Sequence, residues 1–232
     1  MRLTGLEAAE RFVFRHHPHC TLAVLGGSGG RRQDTAGSDL DLVIVDDEAP
    51  WAYRKTLREE DWLVEQFVLT SDSFRDLFDA GVHAANPTLQ RMLTEGVLLR
   101  CEEAAERILK EAQDDLAAGP MPWSSGERDA QRYWITDLWE DVKDASCSVE
   151  QWFALHRLTI VLSEFHLRVN KQWIAEGKHL YRELKAFDGR MASALEQALQ
   201  TFYGQGDLGA YEEVVAATLA PYGGLLREGY EE

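Results

Sequence analysis

The stretch LGGSGGRRQDTAGSDLDLVIV, residues 25–45, joins a glycine-rich turn to an apolar run that contains two aspartates. Asp39 and Asp41 alternate with leucines, which is the pattern of a β-strand with one face buried in a core. Alternate residues of a strand point to the same side, so both carboxylates project together. Crowded, ionised carboxylates cost free energy unless a cation compensates them. The stretch therefore predicts a strand that carries a cation site directly after a loop with few side chains.

The loop before these acids has the composition of an anion-binding turn. Gly26, Gly27, Gly29 and Gly30 leave backbone N–H groups open to an oxyanion, and Ser28 adds a hydroxyl. No Gly-Lys-Ser/Thr follows, and the acids come too soon for a dinucleotide-binding fingerprint. Magnesium prefers oxygen ligands and often lies between carboxylates and phosphates. Loop and strand together predict a site for a phosphate group and magnesium.

The segment 27–42 resembles the signature of polymerase-beta-type nucleotidyltransferases, Gly-Ser-x-Ala-Arg-Gly, five residues, then Ser-Asp-x-Asp. The matching positions are Gly27, Ser28, Arg31, Ser38, Asp39 and Asp41. Gly30 stands where alanine is common in the family, and Arg32 stands where glycine is common. The strand order and the helical second half extend the resemblance to the small-molecule branch of the superfamily, which includes the aminoglycoside nucleotidyltransferases.

The resemblance implies a two-metal site and a nucleotide donor. The family needs a third carboxylate on a later strand, and Glu65 in the apolar run 62–69 is the matching position. Asp39, Asp41 and Glu65 would then bind two Mg²⁺ ions, with ATP as the donor. The nucleotide-binding residues that the resemblance implies are Gly27, Ser28, Arg31, Ser38 and Lys178.

The chain divides at a linker with two prolines, two glycines and two serines, AGPMPWSSGE, residues 118–127. Before it, strand-like runs and helices alternate, with a capping box predicted at Thr4 and Glu7. After it, a second capping box is predicted at Ser124 and Glu127, and the pattern is helical throughout. The sequence predicts an α+β protein. Its domains are a mixed-sheet nucleotidyltransferase domain, residues 1–118, and an all-α helical-bundle domain, residues 119–232.

Two features of the second half suggest substrate contacts. Asp137 and Asp141 are four residues apart and share a helical face, where they could hold a cationic substrate and where Asp137 could act as a general base. A solvated helix face explains the same spacing. Lys178 follows Gly177 and resembles the lysine that helical domains of this branch bring to the nucleotide phosphates. The terminal REGYEE, residues 227–232, is interpreted as a solvated tail.

A segment with three histidines and a cysteine, HHPHC, residues 16–20, leaves two interpretations open. These side chains are ligands of transition metals. A helix that ends before Pro18 and leads into a strand explains the segment equally well.

The composition of the chain limits the kinds of binding partner that we expect for it. A net charge of −16 disfavours long nucleic acid and is compatible with a cationic small molecule. No apolar run reaches the ~20 residues of a membrane span, and the start carries charge in place of a secretion signal. Three widely spaced cysteines suggest a reducing, cytoplasmic location. A homodimer with a shared active site is compatible with the resemblance.

These observations predict an enzyme that moves a nucleoside monophosphate, AMP from ATP, to a hydroxyl of a small molecule and releases pyrophosphate. An aminoglycoside-like acceptor, as in antibiotic resistance, suits the acidic composition. Two alternatives stay open: a nucleotidyltransferase that modifies a protein or an RNA, as in toxin–antitoxin pairs, and a non-catalytic nucleotide-binding module.

Overall fold

The computed structural model describes residues 3–27 and 39–231 of the chain. Two compact units make up the chain, Met1–Gly119 and Pro120–Glu232. The first unit contains a five-stranded sheet with helices, and the described residues of the second unit form helices and no strand. The predicted α+β class, a mixed sheet followed by helices, is confirmed.

The sheet of the first unit combines one parallel pair of strands with three antiparallel pairs. Its strands, in chain order, are β1 (Leu22–Leu25), β2 (Leu40–Val45), β3 (Tyr53–Glu59), β4 (Trp62–Leu69) and β5 (Val97–Cys101). They lie in the order β3-β4-β2-β1-β5. β2 and β4 are the parallel pair, and β2 is the central strand.

Helices cover both faces of this sheet. They are α1 (Gly5–His16), α2 (Phe74–His83), α3 (Thr88–Glu95) and α4 (Glu106–Ala118), with a 3-10 turn at Glu103–Ala105 before α4. Phe12 of α1 shares a core with Leu42 and Ile44 of β2, while Phe78 of α2 shares the opposite core with Val43 and Val45. The odd-numbered residues of β2 therefore belong to the face covered by α2, α3 and α4.

Both predicted capping boxes are confirmed. The Thr4 hydroxyl accepts a hydrogen bond from the Glu7 backbone N–H at 3.2 Å, and the Glu7 carboxylate accepts one from the Thr4 N–H at 2.9 Å. Ser124 and Glu127 form the same pair of bonds at 3.2 and 2.8 Å. Each box satisfies backbone donors that the first helical turn leaves without partners. The boxes thereby fix the starts of α1 and of α5 (Ser125–Asp144).

The strand β3 was not predicted from the sequence. Its residues, YRKTLRE, are mostly exposed because β3 is an edge strand that pairs with β4 alone. Such a strand needs no regular run of apolar residues, so the period-2 signal of a half-buried strand is weak. The hairpin that joins it to β4 turns at Glu60 and Asp61, both with positive φ.

The histidine-rich segment 16–20 joins α1 to the sheet. His17 is 5% exposed, and its Nδ1 lies 2.7 Å from Asp46 Oδ2. Its Nε2 lies 2.8 Å from Gln66 Oε1. Cys20 is buried in the apolar core on the α1 face. The segment thus forms a buried hydrogen-bonded link between α1, β2 and β4, and this geometry favours the structural interpretation.

The second unit is a bundle around one apolar core. After α5, its helices are α6 (Ser148–Val169), α7 (Lys178–Phe187), α8 (Gly189–Gln205) and α9 (Gly209–Leu219), with a 3-10 turn at Ala220–Tyr222. α6 contributes Leu158, Leu162 and Phe165 to this core, and all three are buried. Trp139 of α5 stacks on Tyr211 of α9, with ring centroids 5.9 Å apart. Within residues 3–27 and 39–231, helices that combine bilayer length with an apolar composition are absent.

Candidate functional site

The parallel pairing of β2 and β4 places two of the predicted acids side by side. Asp41 is the register partner of Glu65, and strand alternation puts both side chains on the face covered by α2, α3 and α4. The two carboxyl groups are close enough for one to donate a hydrogen bond to the other when it is protonated. Acids that are distant in the chain are thus brought together at the first residues of β2.

This arrangement changes the acidity of Asp41. Burial, the charge of Glu65 and the charge of Asp39 together raise the pKa of Asp41 to about 6 from an ordinary value of 3.8. Arg54 acts in the opposite direction and lowers this pKa by a smaller amount. A half-buried carboxyl between two like charges keeps its proton to a higher pH than an ordinary aspartate, and a bound cation would favour its charged form.

Gly27 lies against the Asp41 carboxylate. Its φ is +58°, and a Cβ built on it would lie 1.8 Å from Asp41 Oδ2. No side chain fits there without displacing the acid. The neighbouring Gly26 donates its backbone N–H to the Asp41 carbonyl oxygen at 2.8 Å. The turn after β1 is therefore fastened to β2 at the residue that carries the acid.

The rest of the predicted loop lies outside the described residues. This applies to its glycines 29 and 30, to Ser28, Arg31 and Arg32, and to Ser38. Their predicted contacts with a nucleotide stay predictions. Gly27 and Asp39, on either side of the gap, are described.

Asp39 lies outside the strands that carry the other two acids. It precedes β2, its side chain is exposed, and its charge acts on Asp41. Among the described residues, no group of three or more His, Cys, Asp and Glu side chains has the arrangement of a metal site. The convergence that the sequence predicted for three acids is present here for Asp41 and Glu65.

An arginine that sequence reasoning missed contacts Glu65. Arg54 of β3 donates from Nε to Glu65 Oε1 at 2.6 Å and forms an ion pair with the same oxygen through a terminal nitrogen. Its guanidinium also lies over the ring of Phe67, 4.9 Å from the centroid. Because β3 was not recognised as a strand, its register beside β4 was unknown, and the sequence carried no other signal for this contact.

Asp137 of the second unit has a cationic partner from its own chain. Arg227 forms an ion pair with Asp137, and its Nε lies 3.4 Å from Glu140 Oε2. The predicted partner of Asp137 was Asp141, but the residue that shares the guanidinium is Glu140. This occurs because Asp137 and Glu140 are three residues apart on the helix surface.

The segment around Arg227 packs on α5, in contrast to the solvated tail that the sequence suggested. The Leu226 backbone N–H donates to the Thr136 hydroxyl at 3.0 Å. The ring of Tyr230 stacks on Tyr133, with centroids 4.5 Å apart and an interplanar angle of 19°. Arg227 lies over the same Tyr133 ring at 5.2 Å. The contacts continue along one side of α5 and explain why Asp137 is only partly exposed.

Lys178 is the first residue of α7, and its side chain is exposed. Gly177 precedes it with a φ of +54°, in open space where a Cβ would meet no atom within 4 Å. The positive φ turns the chain sharply into the helix. The role of Lys178 at phosphate groups stays a prediction.

The chemistry of the first unit's acids suits a divalent cation. The donor atoms are carboxylate oxygens, which magnesium prefers, and the guanidinium of Arg54 contacts one of the three acids. Burial and the charges of Glu65 and Asp39 raise the pKa of Asp41 by more than Arg54 lowers it. Asp39, Asp41 and Glu65 are therefore suitable in type and charge as ligands.

Comparisons with known proteins add little to this picture. No protein-family model and no curated protein matches the sequence. Among solved structures, a nucleotidyltransferase-like protein from Exiguobacterium sibiricum 255-15 is 13% identical and has a TM-score of 0.45, with 94% of this chain and 74% of that chain covered. A similarity of this size does not establish a common fold.

Proposed function

We propose that the protein is a magnesium-dependent nucleotidyltransferase that moves AMP from ATP to a hydroxyl of a small molecule and releases pyrophosphate. The observation that carries this proposal is the pairing of Asp41 with Glu65 across two parallel strands, directly against a glycine with positive φ. The resemblance of the segment 27–42 to nucleotidyltransferases supports it independently.

In this proposal the three acids of the first unit hold the metal. Asp39, Asp41 and Glu65 supply oxygen ligands for two ions. Bound there, magnesium would offset the charge of a triphosphate and make an acceptor hydroxyl more acidic. Gly27 keeps the backbone close to Asp41, so that no side chain separates the acid from a bound phosphate. The nearby apolar core of Val43 and Val45 holds the strand rigid beneath the site.

For the second unit, the proposal assigns binding roles to two residues. Asp137, with Glu140, would bind a cationic group of the acceptor, as the pair now binds the guanidinium of Arg227. Lys178 would bind an anionic oxygen because its ammonium group is exposed at the start of a helix. An aminoglycoside-like acceptor would supply ammonium groups for Asp137 and Glu140 and a hydroxyl to accept the AMP.

The test is a transfer assay with ATP labelled at the α-phosphate, magnesium and a panel of aminoglycosides, nucleosides, RNAs and proteins. We expect magnesium-dependent label on a small molecule with the wild-type chain and none with Asp41→Asn. Asp47→Asn is the matched control, because Asp47 is an exposed acid that bonds to Ser71 and not to the site.

The identity of the labelled acceptor separates the candidate functions. Label on a protein or an RNA would replace the small-molecule proposal with the protein- or RNA-modifying one. Magnesium-dependent ATP binding without label on any acceptor would favour a nucleotide-binding module. Transfer that survives Asp41→Asn would contradict the catalytic role of the acids altogether.

A further inference from the structure

Arg54 is fixed beside the acids by three contacts. Its Nε and one terminal nitrogen both reach Glu65 Oε1, and its guanidinium plane lies over Phe67. An exposed arginine usually contributes little through a single surface ion pair. A charge-assisted hydrogen bond, an ion-pair contact with the same oxygen and an aromatic surface hold this one in a defined place. Its partner Glu65 has a side chain that is only 19% exposed, so the bond is not a fully solvated one.

Strand register explains why this particular arginine reaches Glu65. In the antiparallel pair of β3 and β4, Thr56 lies opposite Glu65 and Arg54 lies opposite Phe67. Arg54 is thus the diagonal neighbour of Glu65 on the same face, within reach of a long side chain. Arg58 is the diagonal neighbour on the other side, opposite Leu63. Among the described residues, Arg58 makes no hydrogen bond or ion pair with Glu65.

The charges around Glu65 leave it between two opposing partners. On one side lies the Asp41 carboxyl, carried by its register partner on β2, and on the other the guanidinium of Arg54 holds Oε1. The arginine supplies a positive charge at a cluster that a divalent cation would otherwise neutralise. Its side chain is 64% exposed on an edge strand, so it can leave Glu65 without disturbing the backbone pairing of the sheet.

We propose that Arg54 is an internal counter-ion that holds Glu65 while no metal is bound and competes with a divalent cation for that carboxylate. The inference rests on the proposed function for the identity of the competing ion and goes beyond it in assigning a role to Arg54. Arg54 is a positioning residue in this scheme, since it acts through Glu65. The affinity for the metal is then set by the acids and by the arginine together.

The competition has two consequences of opposite sign. Without metal, loss of Arg54 leaves the acids uncompensated and lowers the melting temperature of the first unit. With metal, the same loss removes a competing positive charge and frees Oε1, so the metal binds more tightly. A purely structural role for the arginine would produce the first consequence and not the second.

The test uses Mn²⁺ as the probe, because its free form is measured directly by electron paramagnetic resonance. The full chain is titrated as wild type, Arg54→Ala, Arg54→Lys and Arg58→Ala, with Asp41→Asn to identify binding at this site. We expect Arg54→Ala to lower the Kd for Mn²⁺ about tenfold, a coupling of ordinary size between two ligands. Arg54→Lys keeps the charge and should bind Mn²⁺ with an affinity between those of the wild type and Arg54→Ala.

Arg58→Ala is the matched control, since it removes the same charge from the same strand and face. It should leave the Kd within about twofold of wild type, because an exposed guanidinium without a hydrogen bond or ion pair to Glu65 is screened by solvent and salt. The melting temperature without metal should fall for Arg54→Ala, and the upward shift on adding Mn²⁺ should be larger for that variant than for wild type.

The possible failures are distinguishable. Equal Mn²⁺ affinity in wild type and Arg54→Ala, or weaker binding in the variant, would overturn the role of Arg54 and leave the proposed function standing. If Arg58→Ala increases the Mn²⁺ affinity as much as Arg54→Ala does, the increase comes from the lower positive charge of the chain as a whole. That result would also overturn the role of Arg54. If no chain shows Mn²⁺ binding that depends on Asp41, the metal site itself is absent and the proposed function fails.

Discussion

At the scale of single residues, the site consists of a glycine, two paired acids and an arginine. The acids could be predicted because their spacing is set by strand alternation and matches a known signature. Gly27 could be predicted as a position that needs an open backbone. Arg54 could not, since its contact depends on the register between two strands, and register is a property of the folded sheet.

The space around Gly27 leads to a first prediction. Gly27→Ala should lower the free energy of unfolding and abolish Mn²⁺ binding, because the new Cβ would occupy the position of Asp41 Oδ2. Gly177→Ala is the control: its φ of +54° is similar to the +58° of Gly27, but no atom lies within 4 Å of the new Cβ. Its cost should be the backbone cost alone, roughly 1–3 kcal/mol, because the φ of +54° and ψ of −130° at Gly177 lie where side chains are rarely accommodated. Urea unfolding and Mn²⁺ titration measure both effects, and equal losses in the two variants would contradict the close packing.

The raised pKa of Asp41 leads to a second prediction, for the metal-free chain in a chelator. Between pH 3.8 and about 6 the folded chain keeps the Asp41 proton while the unfolded chain releases it, so Asp41 lowers stability as pH rises through this range. Burial contributes most to this raised pKa, Glu65 and Asp39 add to it, and Arg54 reduces it. Asp41→Asn removes the penalty. Its free energy of unfolding, relative to wild type, should therefore rise from pH 4 to pH 6 and then level off.

A carboxyl with the opposite shift serves as control for that measurement. The Asp188 carboxylate accepts a hydrogen bond from the Met191 backbone N–H and lies beside His166. Both interactions hold the pKa of Asp188 below its ordinary value. The stability that Asp188 contributes is present above that ordinary value and is lost as pH falls. Asp188→Asn should therefore lose stability relative to wild type as pH rises through the acidic range. The same sign for both variants would contradict the environment described for Asp41.

At the scale of helices and strands, position in the sheet decides what the sequence reveals. β2 and β4 are buried and read as apolar runs, and the capping boxes mark the starts of α1 and α5 by their local hydrogen bonds. β3 was not predicted from the sequence because an edge strand can carry polar residues on both of its faces. The link through His17 also depends on strand pairing, since Gln66 lies in β4 and Asp46 directly follows the neighbouring β2.

This buried link leads to a third prediction. Asp46→Ala should lower the free energy of unfolding by about 3 kcal/mol, since it leaves the buried His17 ring without its carboxylate partner. Asp47→Ala, which removes an exposed acid bonded to Ser71, should cost about 1 kcal/mol or less. Urea denaturation of the two variants measures the difference. Similar costs would mean that the bond to His17 contributes no more than a surface contact.

At the scale of the whole molecule, the chain consists of two units with separate apolar cores. The core of the second unit is built from α5 to α9 without a residue of the first. Composition and the linker were sufficient to anticipate a sheet part and a helical part. The path of the final segment along α5 was not evident, because Arg227 and Tyr230 find their partners about a hundred positions earlier only in the folded bundle.

The separate cores lead to a fourth prediction. Residues 120–232 produced alone should fold to a helical protein with a cooperative thermal transition, because their apolar residues bury one another. Circular dichroism and calorimetry test this directly. A chain that lacks a cooperative transition would show that the helical core needs the first unit to form.

The exposed edge at β3 has a consequence for how the chain behaves in concentrated solution. An edge strand offers unpaired backbone groups to which a second chain can add, and charged side chains are a common safeguard against such addition. On β3 this safeguard consists of Arg54, Lys55 and Arg58, three like charges that would face one another when two identical edges meet. Removal of one arginine leaves two of them in place. A chain with all three charges neutralised would have an edge strand without this repulsion. We expect such a chain to aggregate by intermolecular strand pairing.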